Sequence, residues 1–154
     1  SNKNSLVLFQ SVEEGYGKAI YDRIRELTSD MEVFYIDGNT KNDLRDEYKS
    51  RLKVGERKVM VASFGTFSTG ISVNNIHNIY LVESYKSENI IKQSIGRGMR
   101  KQEDKEKVNI IDFVDDFTWK STPNYLMAHS EERIKIYEKE AFPYTIFDID
   151  LTTL

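Results

Sequence analysis

The fold of this chain is decided by the apolar run Lys58-Val59-Met60-Val61-Ala62, which passes directly into the polar stretch Ser63-Phe64-Gly65-Thr66. The run is short and nearly continuous rather than alternating. Strands that are buried on both faces of a parallel sheet have this pattern. In open parallel sheets, ligands bind beyond the carboxyl ends of the strands, so the polar stretch is the first place to expect chemistry.

The same apolar pattern recurs along the chain and predicts strands at residues 5–10, 32–36, 58–62, 78–82 and 108–113. Apolar residues at helical spacing predict helices at 17–27, 41–52 and 87–95 between these runs. Strands and helices in this order indicate an α/β fold, an open parallel sheet with flanking helices and right-handed crossovers.

The pattern changes after about residue 121. Pro123 is followed by a predicted helix at 124–140, and Pro143 precedes a predicted short terminal strand at 144–149. We therefore expect two parts, a sheet domain at 3–120 and a C-terminal helical appendage at 121–154 that packs on it.

Composition excludes several functional classes. The 154 residues, 39% apolar and 31% charged, fit one soluble globular domain. The absence of cysteine excludes disulfides, thiolate catalysis and cysteine zinc sites, and the two histidines are too few for a convincing metal cluster. The net charge of −3 argues against a stand-alone nucleic-acid module, so any such contact must come from a local patch or a second domain. No run is long enough to span a membrane, and we expect no membrane partner.

A second polar motif precedes the last predicted strand and reads Gln93-Ser94-Ile95-Gly96-Arg97-Gly98-Met99-Arg100. Its arginines are three residues apart, so both guanidiniums can face the same ligand from one helical turn. The planar, always ionised guanidinium suits a developing phosphate charge, so the motif indicates an arginine finger aimed at a nucleotide held elsewhere. The alternative is an exposed helix end whose basic residues complement the helix dipole.

The polar stretch after the run at 58–62 extends to residue 72 and combines hydroxyl side chains with Gly65 and Gly70. Glycines permit close approach of a ligand to the backbone, and hydroxyls and amides bind phosphate oxygens. An ordinary loop rich in serine and threonine is the alternative.

Taken together, these motifs resemble those of a known family. The order strand, hydroxyl-glycine loop, strand, helix and Gln-x-x-Gly-Arg-x-x-Arg is similar to motifs V and VI in the second RecA-like domain of superfamily 2 helicases. The segment 6–13 resembles motif IV, and 35–40 resembles motif IVa. The loop at 61–73 and the tail from Asn124 to Tyr137 further resemble phage helicases of recombination and repair. The resemblance covers residues 5–151 and implies a RecA-like fold of the P-loop NTPase type.

The resemblance also implies roles for the nucleotide-facing residues. Arg97 and Arg100 match arginines that reach the ATP phosphates across an interdomain cleft, and Gln93 matches a residue that positions the terminal phosphate or its attacking water. Gly70 lies where motif V approaches the nucleotide. Ser72 occupies a position that is often a ribose-binding aspartate in related families.

Four further positions match residues that hold the phosphodiester backbone of the tracked strand: Ser63, Thr66, Gly38 and Ser11. Contacts of this kind bind nucleic acid without reading its sequence, as a motor that steps along any DNA requires.

The chain contains no Gly-x-x-x-x-Gly-Lys-Ser/Thr loop and no recognisable acidic helicase box. ATP and Mg²⁺ would then be bound mainly by the N-terminal RecA-like domain of the same polypeptide, and the isolated chain should not hydrolyse ATP. We expect no metal ligands here; Asp112, Asp115 and Asp116 favour a solvated, helix-capping turn over a metal site.

The function that these features imply is that of the second motor domain of an ATP-dependent DNA helicase or translocase. Its expected substrates are branched DNA or RNA–DNA hybrids in recombination, repair and replication restart, in the cytoplasm of a phage-infected bacterium. Two alternatives remain: a non-catalytic RecA-like module that binds proteins or nucleic acid, and a stand-alone nucleotide-binding domain, which the missing phosphate loop disfavours.

Overall fold

A computed structural model describes residues 3–10, 15–68, 75–83, 108–116 and 124–150. The described strands are β1 (Ser5–Phe9), β2 (Glu32–Ile36), β3 (Lys58–Ser63), β4 (Asn78–Leu81) and β5 (Asn109–Asp112). The described helices are α1 (Tyr16–Leu27), α2 (Asn42–Leu52), α3 (Phe64–Ser68) and α4 (Tyr125–Lys139).

The strands form one sheet in the order β2-β3-β1-β4-β5, and every pairing is parallel. In the centre, Ser5 lies opposite Val59 on one side and Asn78 on the other. The carboxyl ends of all these strands therefore lie along one side of the sheet, which we call the carboxyl edge; the opposite side is the amino edge. The expected α/β fold with an open parallel sheet is confirmed.

Burial on both faces explains the continuous apolar runs. Alternate residues of β1 face opposite layers, because successive side chains of a strand point to opposite faces. Leu6 and Leu8 belong to one cluster, which Phe67 of α3 and Leu52 of α2 join. The other cluster includes Val7, Phe9, Val59 and Val61 and packs against Ile20 and Ile24 of α1.

Gly17 allows α1 to approach the sheet closely. A Cβ at this position would lie 2.4 Å from ring atoms of Phe9, nearer than packed carbon atoms approach each other. The helix is thus seated directly on β1.

The amino edge is closed by two asparagine side chains. The fully buried Asn4 donates from Nδ2 to the carbonyls of Leu52 (3.3 Å) and Gly55 (2.9 Å), and its Oδ1 accepts from Lys58 N (3.0 Å). Asn75 donates to the same two carbonyls. These bonds satisfy backbone groups at the end of α2, where the helix leaves carbonyls without an internal partner.

The described strands lie within one residue of their predicted bounds. Two expectations were wrong. The stretch after β3 begins as the short helix α3 rather than as a loop, and the segment 142–150 is neither helix nor strand. Ile146 and Phe147 in that segment are 65% and 80% exposed, and no described strand pairs with it. An apolar stretch becomes a strand only when a partner satisfies its backbone.

The appendage helix α4 begins where it was predicted. Asn124 precedes it and its side chain accepts hydrogen bonds from the amides of Leu126 and Met127, as an N-cap residue does. Within the described parts of the chain, no helix has both the length and the apolar character needed to cross a bilayer. The predicted helix at 87–95 lies outside the described residues.

Candidate nucleic-acid and nucleotide interface

Ser63 and Thr66 meet at the carboxyl end of β3. Ser63 is the last residue of the strand and Thr66 lies in α3, and their hydroxyl oxygens are 2.9 Å apart. The two residues are only 4% and 6% exposed. Both were expected to contact a phosphodiester, but their hydroxyls bond to each other below the surface. Gly65 between them is exposed, so backbone is the accessible polar surface at this point.

The turn after β2 is held by an aspartate and a threonine. Asp37 Oδ1 accepts from Asn39 N (2.9 Å) and from Thr40 Oγ1 (3.0 Å), and Asp37 N donates to Thr40 Oγ1 (3.0 Å). Thr40 N closes the turn on the Asp37 carbonyl (3.2 Å). Aspartate and threonine commonly fix turns in this way. The exposed residues at its tip are Gly38 and Asn39.

Neither a left-handed backbone nor close packing requires a glycine at position 38. Its φ is not positive, and a Cβ there would meet no atom within 4 Å. Its amide N–H has no hydrogen-bond acceptor among the described residues. A free donor on an uncovered peptide beyond a parallel strand is a group suited to a phosphate oxygen.

Arg45 donates hydrogen bonds to the same turn. The sequence analysis did not identify this residue. It is the fourth residue of α2, and its Nη2 donates to the carbonyls of Asp37 (3.0 Å) and Gly38 (2.8 Å). The available signal was an arginine in the first turn of the helix that follows the glycine turn.

The carboxyl edge is acidic beyond β1 and β4. The Glu83 carboxylate accepts a hydrogen bond from the backbone N–H of Gln10. The Tyr16 hydroxyl donates to the Val82 carbonyl (3.3 Å). Burial raises the pKa of Tyr16, and the charges of Glu83 and Asp115 raise it further. Beyond β2 a phosphate meets the exposed Gly38 amide beside the Asp37 carboxylate, and beyond β1 and β4 it meets the Glu83 carboxylate.

At the far end of the edge, Asp112 is the last residue of β5 and is bound by α4. Arg133 donates to it from Nε (2.7 Å) and Nη2 (3.0 Å), and the Tyr137 hydroxyl donates to the same carboxylate (2.9 Å). Arg133 is only 1% exposed. Burial raises the pKa of Tyr137 well above its ordinary value, and the Asp112 charge raises it further.

The interpretation of Asp112 as part of a solvated turn was therefore wrong. A paired partner 21 residues further along the chain occupies its carboxylate. Asp116 instead accepts a hydrogen bond from Asn124 Nδ2 (3.0 Å), next to the start of α4.

The remaining predicted site residues lie outside the described residues: Ser11, Gly70, Ser72, Gln93, Arg97 and Arg100. Their roles at the nucleotide stay predictions. Among the described site residues, the sheet brings Gly38, Ser63 and Thr66 to neighbouring strand ends, because β2 pairs directly with β3.

The all-parallel sheet with its polar turns at the carboxyl edge is that of a RecA-like domain of the helicase class. The family model described as helicase conserved C-terminal domain matches residues 1–102, and the chain belongs to this family.

Individual relatives agree with this assignment. The chain is 34% identical over 160 residues to the ATP-dependent DNA helicase uvsW of Enterobacteria phage T4, an alignment that covers 97% of this chain and 31% of that protein. It is 33% identical over 102 residues to the putative ATP-dependent helicase IRC3 of Saccharomyces cerevisiae, which covers 65% of this chain and 15% of that one. The chain thus spans less than a third of the length of these curated relatives.

Solved structures give the same result. The crystal structure of T4 UvsW matches with a TM-score of 0.70 and 36% identity over 90% of this chain and 29% of that one. Domain 2 of the DEAD-box helicase Mss116p, bound to an RNA duplex, matches over 72% of this chain and 42% of that one, with a TM-score of 0.62 and 16% identity. The second likeness concerns the fold alone. The expected kinship with superfamily 2 helicases, and with the phage helicase in particular, is confirmed.

Proposed function

We propose that this chain is the second motor domain of an ATP-dependent DNA helicase or translocase that acts on branched DNA or RNA–DNA hybrids. The observation that carries the proposal is similarity over nearly the whole chain to a phage protein named as an ATP-dependent DNA helicase. Recombination, repair and replication restart are the processes in which such substrates arise.

In this proposal, ATP and Mg²⁺ are held mainly by the preceding RecA-like domain of the same polypeptide. Arg97 and Arg100 extend across the cleft between the two domains and stabilise the charge that develops on the transferred phosphoryl group. Gln93 positions the terminal phosphate or the attacking water. Gly70 and Ser72 border the nucleotide. This chain alone supplies no phosphate loop, so it should not hydrolyse ATP by itself.

The tracked strand lies along the carboxyl edge beyond β2 and β3 in this proposal. The exposed turn at Gly38 and the exposed backbone at Gly65 support this course. Ser63 and Thr66 shape the second of these contacts by bonding to each other. Ser11 is the fourth proposed contact. Uncharged donors of this kind hold any sequence, which a translocating motor requires.

The proposal is tested with Arg97→Ala in the full-length protein. We expect DNA-stimulated ATP turnover to fall by about 10³–10⁵-fold, the range attributed to arginine fingers, while DNA binding stays near that of the unaltered protein. Arg23→Ala is the matched control, because Arg23 is an exposed arginine of α1 that pairs, among the described residues, only with Glu26. Near-normal turnover by Arg97→Ala would refute the role of Arg97. A full-length protein without ATP turnover would favour the non-catalytic module.

A further inference from the structure

Arg45 differs from an ordinary surface arginine in what it binds. Among the described residues, both of its side-chain hydrogen bonds go to backbone carbonyls, those of Asp37 and Gly38, and it forms no ion pair with a described carboxylate. Its Nε is buried and has no hydrogen-bond partner among the described residues. The guanidinium therefore pairs with no described carboxylate, while the Asp37 carboxylate of the same turn bonds to Asn39 N and Thr40 Oγ1.

The bond to the Asp37 carbonyl also fixes the direction of the neighbouring amide. The carbonyl of Asp37 and the N–H of Gly38 belong to one peptide unit, and the structure contains no described cis peptide. In a trans peptide the C=O and N–H point in opposite directions. Since Arg45 and the Thr40 amide both hold this carbonyl, the Gly38 N–H points away from both groups. No described acceptor meets it there.

The second carbonyl bond locks the next peptide in the same way. Gly38 O is held by Arg45, and the N–H of that peptide belongs to Asn39, which is bound by Asp37 Oδ1. Both peptides of the turn tip are thereby fixed, and only the Gly38 N–H is left to an external acceptor. A donor that is oriented before binding loses less entropy when the ligand arrives.

We propose that Arg45 is a positioning residue for nucleic acid: it orients the free Gly38 N–H toward a phosphodiester oxygen of the bound strand. Arg45 acts through the turn and does not itself contact the phosphate. This inference rests on the proposed function, because it deepens the contact that the motor makes with the strand.

The test measures binding of a fluorescent oligodeoxythymidylate to the full-length protein by anisotropy over a range of salt concentrations. Arg45→Lys keeps the charge but lacks the planar fork, and we expect it to bind about tenfold more weakly, the loss of roughly one hydrogen bond to a charged group. The salt dependence should be unchanged, because no phosphate contact of a cation is removed. Arg51→Lys is the matched control at the other end of α2, where the arginine pairs with Glu47 and Glu32, and it should bind normally.

A double variant separates positioning from direct contact. Gly38→Ala should fold normally, because its Cβ meets nothing, but it covers the peptide and weakens binding. If Arg45 acts through Gly38, the variant that carries both changes binds no more weakly than the weaker single variant. Normal binding by Arg45→Lys would overturn the inference, and so would losses that multiply in the double variant.

The two proposals fail in different ways. If the unaltered protein binds the oligonucleotide and needs Arg97 for ATP turnover while Arg45→Lys changes nothing, the inference about Arg45 fails alone. If the unaltered protein does not bind the oligonucleotide, both fail.

Discussion

Two arginines lie at opposite ends of the carboxyl edge and bind different kinds of partner. Arg133 is buried and is bound by the carboxylate of Asp112, with Tyr137 on the same acceptor. Among the described residues, Arg45 is bound by backbone carbonyls alone, and its buried Nε has no hydrogen-bond partner. The first charge is paired with a carboxylate, and the second forms no ion pair with a described carboxylate.

The difference indicates that the carboxyl edge contributes to stability at its β5 end and is available for binding at its β2 end. A buried arginine and a partly buried carboxylate joined by two bonds fix α4 to β5 and offer nothing to an outside anion. An arginine that holds only carbonyls leaves its charge and an oriented amide beside the solvent. We expect changes at the β5 end to alter stability, and changes at the β2 end to alter binding.

The largest effect is expected from Arg133→Met, which leaves the partly buried Asp112 carboxylate without its cation. Breaking a fully buried pair costs about 3–5 kcal/mol of unfolding free energy, and we expect a loss of about 3 kcal/mol for this pair, whose carboxylate is partly exposed. Urea unfolding of the chain measures it. Restoring charge balance with Asp112→Asn in the same variant should recover part of the loss, because the stranded charge is gone.

Two controls define the comparison for that variant. Arg51→Met removes exposed ion pairs and should cost less than about 1 kcal/mol. Arg45→Lys should lower the unfolding free energy by less than about 1.5 kcal/mol, since only hydrogen bonds at the surface are lost. A cost for Arg133→Met no larger than that for Arg51→Met would contradict the structural role of the β5 end.

A smaller effect is expected from Tyr137→Phe, seen most clearly in its pH dependence. The pKa of Tyr137 is raised in the folded protein, by burial first and then by Asp112. Above about pH 10 the unfolded tyrosine loses its proton while the folded one keeps it, so the unfolding free energy falls as the pH rises. Stabilisation by this group is complete below about pH 10 and lost above it.

Urea unfolding at several pH values between about 8 and 11 checks this. Tyr137→Phe should make the decline above pH 10 shallower without removing it, because the pKa values of Tyr16 and Tyr35 are also raised. An identical decline in both proteins would mean that Tyr137 does not titrate with unfolding.

The strands could be predicted closely because their signal is local. The run 59–62 is apolar at every position, and burial on both faces of a parallel sheet is the simplest arrangement that satisfies it. The segment 144–149 has a similar composition and was predicted wrongly, because strand formation also depends on a partner that the segment's own residues do not specify.

The site was predictable in its position but not in its contacts. Gly38, Ser63 and Thr66 were expected at strand ends and lie there, yet the burial of the two hydroxyls depends on how α3 packs. Arg45 was missed because its role appears only when α2 folds back on the turn. The partner of Asp112 was missed because Arg133 comes from a distant helix.

The most direct test of the open β2 end compares two exposed glycines at opposite edges of the sheet. Gly38 lies in the carboxyl-edge turn, and Gly55 lies at the amino edge among carbonyls bound by Asn4 and Asn75. Titration of the isotopically labelled chain with oligodeoxythymidylate should shift the Gly38 amide resonance progressively and leave that of Gly55 in place. A Gly38 resonance that stays fixed at saturating oligonucleotide, or a shift at Gly55 instead, would contradict a phosphate contact at this end of the carboxyl edge.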